Sequence, residues 1–213
     1  IMKILGIETS VKQSSAAIVV ENNSYEIFSD IKEDTAKSLP FIVENVLNKA
    51  QSSFNDIDGI AISMGPGSFT GLRVGLSYVK GLSLALDIPI VPISTFESMI
   101  NIVKPNPGKV IQTIIHSHGN ALYIAQYISK DELYVLDSVP KIIDISDLEC
   151  KKDMSIIYVG PNKIVDQLNI KAMNNIQLTA LSIASLGYNN YDFLKTKSIN
   201  NLAPNYIGSF KLD

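Results

Sequence analysis

The chain is poor in cysteine, in net positive charge and in uninterrupted apolar sequence, and each shortage removes a class of protein. Its single cysteine, Cys150, can neither close an internal disulfide nor build a cysteine-based zinc cage. Lysine and arginine number 18 against 21 aspartates and glutamates, which gives a formal net charge of −3 and an isoelectric point near 5.4. A protein that holds nucleic acid unaided more often carries a basic face, because neutralised phosphates supply most non-specific affinity. The apolar stretch from Leu82 to Ile93 is broken by Asp87, Pro89 and Pro92, so it does not suit a membrane-spanning helix. Met2 to Gly6 runs straight into a strand pattern, so no leader is expected, and Ile1 reads as an added residue. A reducing, soluble setting is expected, namely the cytoplasm, with no membrane association.

What is present suffices for folding. With 213 residues, 46% of them hydrophobic, the chain can bury a core as one large domain or two small ones, and it is not a disordered adaptor. Lys3 to Ile7, Ser15 to Val20 and Tyr25 to Ile31 read as strands of an antiparallel meander, with Asn22-Asn23 as a tight turn. Leu39, Ile42, Val43, Val46, Leu47 and Ala50 then fall at helical spacing, and Pro40 places the helix start near Ser38 or kinks its first turn. Asp58 to Met64 reads as a strand, Thr70 to Leu86 as a long helix, Ile88 to Ile93 as a strand and Thr95 to Val103 as a helix.

The order of elements then starts again. Lys109 to Ile115, Ala121 to Ser129 and Glu132 to Asp137 read as strands, with a short helix near Ile145. A strand at Ile156 to Val159 and helices from Lys163 and over Gln177 to Leu186 complete the copy. Two βββαβα units in tandem define an α/β protein of two halves, 2–104 and 109–213, hinged at Pro105-Asn106-Pro107-Gly108.

The most specific segment is Gly65-Pro66-Gly67-Ser68-Phe69-Thr70-Gly71-Leu72-Arg73-Val74-Gly75. It is a strand end, a glycine-rich turn and a helix start, without the Gly-Lys-Ser/Thr triplet of a Walker loop. Gly65 and Gly67 permit positive φ or close approach, and Ser68 or Thr70 can cap the helix. The turn fits either a well-capped βα connection or a bound anion on free helix N–H groups. At 100° per residue, Arg73, Ser77, Lys80, Ser83 and Asp87 share one side of the helix. Gly71, Leu72, Val74, Gly75, Tyr78, Val79, Gly81, Leu82, Ala85 and Leu86 cover the rest without a charge. That arc is about half the circumference, wider than the ~100° stripe of one core face. Gly71 and Gly75 leave a flat groove where another backbone could lie, at a cost of about 1 kcal/mol each against alanine. The helix is either sandwiched within its own fold or carries a docking surface.

These residues resemble a known family. Gly65 to Gly75 followed by Lys80-Gly81-Leu82 looks like the signature of TsaB, also called YeaZ. Leu5-Gly6-Ile7-Glu8-Thr9-Ser10, Ser38-Leu39-Pro40, Val91-Pro92-Ile93-Ser94-Thr95-Phe96-Glu97 and the late Ala203-Pro204-Asn205-Tyr206-Ile207 agree in order. The likeness is dense over residues 3 to 100. It implies an actin-like/Hsp70-like ATPase fold of two RNase H-like halves. It also implies a cytoplasmic subunit, not itself an enzyme, that supports TsaD in forming threonylcarbamoyladenosine next to the anticodon of tRNAs reading codons that begin with adenine. TsaD holds a metal through a His-x-x-x-His pair, which aligns here with Thr95 and Met99, so metal and catalysis are not expected in this chain. The implied partners are TsaD, a second copy when the protein is alone, and TsaE through the TsaB–TsaD complex, with tRNA touched only indirectly. The implied docking residues are Leu39, Ile42, Val43 and Val46 of one helix and Gly71, Leu72, Val74, Gly75, Tyr78, Val79 and Leu82 of the next.

Glu8, Thr9, Ser10, Gly65, Gly67, Ser68 and Arg73 are the residues available for an anion or nucleotide contact, with Glu8-Thr9-Ser10 at the place where actin-like ATPases keep a magnesium-organising aspartate. Capping and turn chemistry is the favoured reading of Glu8 and Thr9, and Arg73 either holds an anion or solvates the polar stripe. No matching phosphate loop occurs in the second half. Tight nucleotide binding is therefore not expected of this subunit alone, and ATP or ADP and metal are expected in the partner or at the assembled interface. The chain departs from the family at Asp34, at His116-Ser117-His118 and at Gly208, where histidine, Asp-Ala-Arg and arginine are usual. His116 and His118 alternate on a strand and share a face, but two histidines fall short of a zinc site. The rival readings are a small actin-like phosphotransferase, which lacks its second phosphate loop, and a metallopeptidase, which lacks the histidine pair.

Overall fold

The computed structural model describes residues 1–130, 133–151, 153–168, 170 and 173–207, and the chain forms two units. The first contains β1 (Lys3–Glu8), β2 (Ser15–Val20), β3 (Asn23–Phe28), α1 (Thr35–Lys49), β4 (Gly59–Ser63), α2 (Phe69–Leu86) and β5 (Ile90–Ile93), followed by α3 (Thr95–Val103). Its sheet runs β3-β2-β1-β4-β5, with the first three strands antiparallel and the last two parallel to β1. The second unit contains β6 (Val110–His116), β7 (Ala121–Lys130), β8 (Leu133–Leu136), β9 (Lys141–Asp144), β10 (Ser155–Val159), α4 (Asn162–Leu168) and β11 (Met173–Asn175). Its sheet runs β11-β10-β6-β7-β8, with β9 also paired to β7. Counting β6, β7, β8, β10 and β11 as first to fifth, strand order and strand senses repeat those of the first sheet. The duplication is real, and the fold is the α/β actin-like class built of two RNase H-like halves.

Several boundaries move. Asn23 pairs with Val20, so the hairpin turns at Glu21 and Asn22, with Glu21 at φ 50°, and β3 ends at Phe28 rather than Ile31. Helix α1 starts at Thr35, not Ser38, because Asp34 caps it by accepting from the Ala36 N–H at 2.8 Å. Pro40 stays inside that helix. In the second unit the helix expected near Ile145 is only a 3₁₀ turn, Ile145–Asp147, preceded by β9. Glu132 and Gly208 lie outside the described residues.

The expected division into 2–104 and 109–213 does not hold. The boundary falls within α3, between Ser98 and Met99, and Leu178–Asn205 returns to the first unit with α5 (Ala180–Asn189) and α6 (Tyr191–Leu194). The return has a steric cause. A Cβ on Gly6 of β1 would meet the Ala180 carbonyl oxygen and Ala184, and a Cβ on Gly187 would meet Ala61 of β4. Small residues on both sides let the helix lie almost on the sheet backbone. Thr179 caps α5 by accepting from the Ser182 N–H, while Ser15 Oγ and Glu26 Oε1 accept from the N–H groups of Ala180 and Leu181 at 2.8 and 3.0 Å. A carboxylate at a helix N-terminus is favourably placed.

The first unit is therefore three-layered. Leu5, Ile7, Ile18, Ile60 and Ile62 face α1 and α2, whereas Ile4, Ala17, Val19, Ala61, Val91 and Ile93 join the packing around α5. Gly6→Ala is expected to cost about 1–3 kcal/mol of stability by overpacking the α5 contact. Gly81→Ala, on an exposed stretch of α2 where a Cβ meets nothing within 4 Å, is expected to gain about 0.5–1 kcal/mol. Denaturant melts of the two variants check the opposite signs.

Candidate functional site

The glycine-rich turn leaves β4 through Ser63 and Met64. Gly65, at φ +102°, takes a conformation that side chains disfavour, and its carbonyl accepts from the Thr95 N–H at 3.0 Å. The Met64 carbonyl accepts from the Asn205 N–H at 2.7 Å, and the Ser68 N–H donates to the Ser10 carbonyl at 2.6 Å. Ser68 caps α2 through its hydroxyl, which accepts from the Gly71 N–H at 3.2 Å. Two donors that an anion would need, Ser68 N–H and Gly71 N–H, are thus occupied by the chain itself. A Cβ on Gly67 would collide with Ser10. Of the two readings of this segment, the geometry fits the packed, capped turn.

The flat groove of Gly71 and Gly75 also has an occupant, and it belongs to the same chain. A Cβ at Gly71 would run into the Thr9 carbonyl oxygen, and one at Gly75 into the Thr9 hydroxyl. The turn after β1 lies in the notch that these glycines make. Glu8 beside it is fully buried, and its Oε1 accepts from the Ser10 N–H at 2.6 Å and the Ser63 hydroxyl at 2.9 Å. Burial pushes the Glu8 carboxyl above the usual range despite those bonds, and the Glu26 charge adds to the rise. Among the described residues, Glu8 Oε2, Thr9 Oγ1 and Ser10 Oγ have no partner. The Arg73 guanidinium lies 3.6 Å over the Phe69 ring.

The residues expected to dock divide sharply. Leu39, Ile42, Val43 and Val46 of α1 are buried in the first unit's own core, and so are Leu72 and Val79 of α2, while Gly71 and Gly75 are closed off by Thr9. These eight are packing residues rather than a docking surface, because the sheet and the β1 turn already cover them. Val74, Tyr78 and Leu82 keep partial exposure. With exposed Ser77, Gly81 and Ala85, and with Leu84 at 71% exposure, they form an uncharged strip along α2, edged by exposed Arg73 beside Ser77 and Leu84. The strip borders a cavity of about 380 Å³ lined by Ala36 and Leu39 of α1 and by Arg73, Val74, Ser77 and Tyr78 of α2. Burial, with the Glu44 charge, pushes the Tyr78 phenol up to about 12, so it stays a neutral amphipathic group. Lys80 is drawn off the strip by donating to the Leu202 carbonyl at 2.8 Å. Ala36, Ser77 and Leu84 were missed from sequence. Helical phase places Leu84 and Ser77 beside Arg73, where an assignment by residue type made the side polar.

Thr95 and Met99, aligned with the TsaD histidine pair, are both fully buried. His116 ends β6, and its Nε2 contacts the Gly119 carbonyl at 2.9 Å. His118 lies beyond the strand with its Nδ1 3.0 Å from the Ser117 hydroxyl, so the expected alternation along one strand does not occur. Among the described residues no group of three or more histidine, cysteine, aspartate or glutamate side chains could hold a metal ion. No described helix is long and apolar enough to cross a membrane.

Comparison with known proteins gives concordant results. Residues 29–158 match the family model of TsaD, tRNA N6-adenosine threonylcarbamoyltransferase. The tRNA threonylcarbamoyladenosine biosynthesis protein TsaB of Buchnera aphidicola subsp. Schizaphis graminum is 31% identical over 176 residues, covering 79% of this chain and 83% of that protein. TsaB of Buchnera aphidicola subsp. Baizongia pistaciae is 28% identical, covering 96% and 97%. A Pseudomonas aeruginosa crystal structure of a protein with similarity to peptidase YeaZ superposes with a TM-score of 0.81 at 19% identity, covering 98% of this chain and all of that one, and shows the shared fold.

The buried Glu8 yields a signed prediction. Its folded pKa lies above the ordinary 4.5, so the unfolded chain ionises first as pH rises. The stability this group contributes is full below about pH 4.5 and is lost as pH climbs towards the folded value. Glu8→Gln retains a carbonyl oxygen for Ser10 and Ser63 and cannot ionise. It is expected to match the parent near pH 4 and to exceed it in stability above about pH 6. Urea denaturation across that range checks the widening gap; a gap that narrows with pH refutes a neutral-preferring Glu8.

Proposed function

This chain belongs to the TsaB family of tRNA threonylcarbamoyladenosine biosynthesis proteins, and from that membership we propose that it is a non-catalytic cytoplasmic subunit that docks on TsaD and supports its transfer reaction. The observation that carries the reading is the uncharged strip of α2, where partly exposed Val74 and Tyr78 border the α1–α2 cavity and Gly81 and Ala85 are exposed. Glycine and alanine along such a strip let a partner helix approach closely, and a tyrosine supplies apolar area with a polar edge, the composition that interface centres favour. In this reading the free protein pairs with a second copy through the same strip, and TsaD displaces that copy. TsaE joins through the TsaB–TsaD complex, and tRNA meets this subunit only indirectly.

Nucleotide and metal then belong to TsaD or to the assembled interface. Thr95 and Met99 lack imidazoles, and the glycine-rich turn spends its amide donors on Ser10 and Ser68. The subunit's task is to present a shaped surface.

Val74→Asp and Ala85→Arg place charge on the strip without touching the buried face. Both are expected to fold with stability within about 0.5 kcal/mol of the parent and to lose co-purification with TsaD. Retained co-purification by both would overturn the docking assignment. Depletion of the protein is expected to remove threonylcarbamoyladenosine from tRNAs reading codons that begin with adenine, checked by nucleoside mass spectrometry. An unchanged nucleoside profile would reject the function.

A further inference from the structure

The second unit holds a cavity of about 630 Å³ at the segment joining β9 to β10, closed on one side by α4. Its apolar wall is Ile145, Leu148, Cys150 and Ile170, the partly buried rim of a core made by Ile114, Leu122, Ile156 and Tyr158. Two primary amides complete the lining, Asn120 just before β7 and Gln167 on α4. Neither carboxamide is engaged by another described residue. The Asn120 backbone is fixed, since its carbonyl accepts from the Ile145 N–H at 2.8 Å. Ser146, also in the lining, is spent on Asp144, to which its hydroxyl donates at 2.9 Å. No described lining residue carries a charge.

This combination selects a ligand class. Among the described residues the lining offers no charge to repay the desolvation of an ionic ligand. The volume lies within the roughly 300–1,000 Å³ of small-molecule sites, which pair apolar walls with a few polar groups that fix orientation. Asparagine and glutamine carboxamides present a donor and an acceptor side by side, a pattern that matches the amino–imine edge of adenine in bidentate fashion. We propose that this cavity is a binding site for a neutral purine base, with the ring against Ile145, Leu148 and Ile170 and the edge read by Asn120 and Gln167. The cavity's described lining belongs to the second unit, and the α2 strip belongs to the first.

Cys150 makes the proposal measurable, because it is the only cysteine of the chain and stands in the cavity wall. A bound base shields its thiol from a water-soluble aromatic disulfide reagent. With the full-length protein, millimolar adenine is expected to slow Cys150 modification at least ~5-fold, as occupancy of about four-fifths of the sites requires. N6,N6-dimethyladenine keeps the ring but not the amino donor and is expected to give little protection. Asn120→Ala and Gln167→Ala, both exposed positions, are each expected to abolish protection by adenine while leaving the unprotected rate and the melting temperature unchanged. Absence of protection by adenine, equal protection by the dimethylated base, or full protection in both alanine variants would each overturn the proposal. If one variant misfolds, the other decides. TsaD co-purification is expected to persist in both, so failure here is distinguishable from failure of the docking reading.

Discussion

The first unit depends on one close approach, the Thr9 backbone lying in the notch between Gly71 and Gly75. Strand β1 is central in its sheet, and the turn that leaves it must pass under the start of α2. Any side chain at either glycine would push the helix off that turn. Once Thr9 is seated, Ser10 receives the Ser68 N–H, Glu8 reaches Ser63, and the capping of α2 by Ser68 follows. The seat also sets the rotation of α2 about its axis. Leu72, Leu76 and Val79 must then face the sheet, and Val74, Tyr78 and Ala85 must face outward. The exposed strip of α2 is thus a consequence of where two glycines meet a threonine. This also explains why helix-interior glycines, each costing about 1 kcal/mol, are retained there.

Much of this was legible in the sequence, for identifiable reasons. Periods of two and 3.6 residues locate β1, β2, β4, α2 and α3 to within a residue or two, because each has one strongly apolar face. The tandem repeat is also readable, since element order survives where sequence does not. The glycine groove reads as a seat for another backbone without naming its owner. Helical phase tells which residues share a side, not whether the covering chain is covalently the same. For that reason α2 reads equally as a helix sandwiched within its own fold and as a docking surface. The strip is half hidden under residue type, because Ser77 reads as polar together with Arg73 and Lys80, although Val74, Gly81 and Leu84 on its other side carry no charge. Position relative to the sheet, a tertiary property, separates the two halves of the arc.

The return of α5 was illegible for a related reason. Gln177 to Leu186 announces a helix but not its address. The address is written in Gly6 and Ala61, more than a hundred residues earlier, as missing side-chain volume. A sequence window does not connect a hole in one element with the helix that fills it. The capping interactions that then secure α5, from Ser15 and Glu26, become meaningful only once the docking has happened.

The two sheets share strand order, yet only the first carries an α1–α2 pair. In the second unit the stretch between β8 and β10 forms β9 and a 3₁₀ turn where the first unit has a fifteen-residue helix. Strand β9 joins the sheet by pairing with β7, and the single turn that follows covers less apolar surface than a helix of that length. Ile145, Leu148 and Cys150 are consequently left partly exposed at the rim of their core, and the cavity opens there. One substitution of element type thus has two results. It deprives the second unit of the helix pair that borders a cavity in the first, and it leaves a hollow whose described lining is apolar side chains, two amides and a serine. The duplicated fold has specialised its halves through what covers the same face of the same sheet.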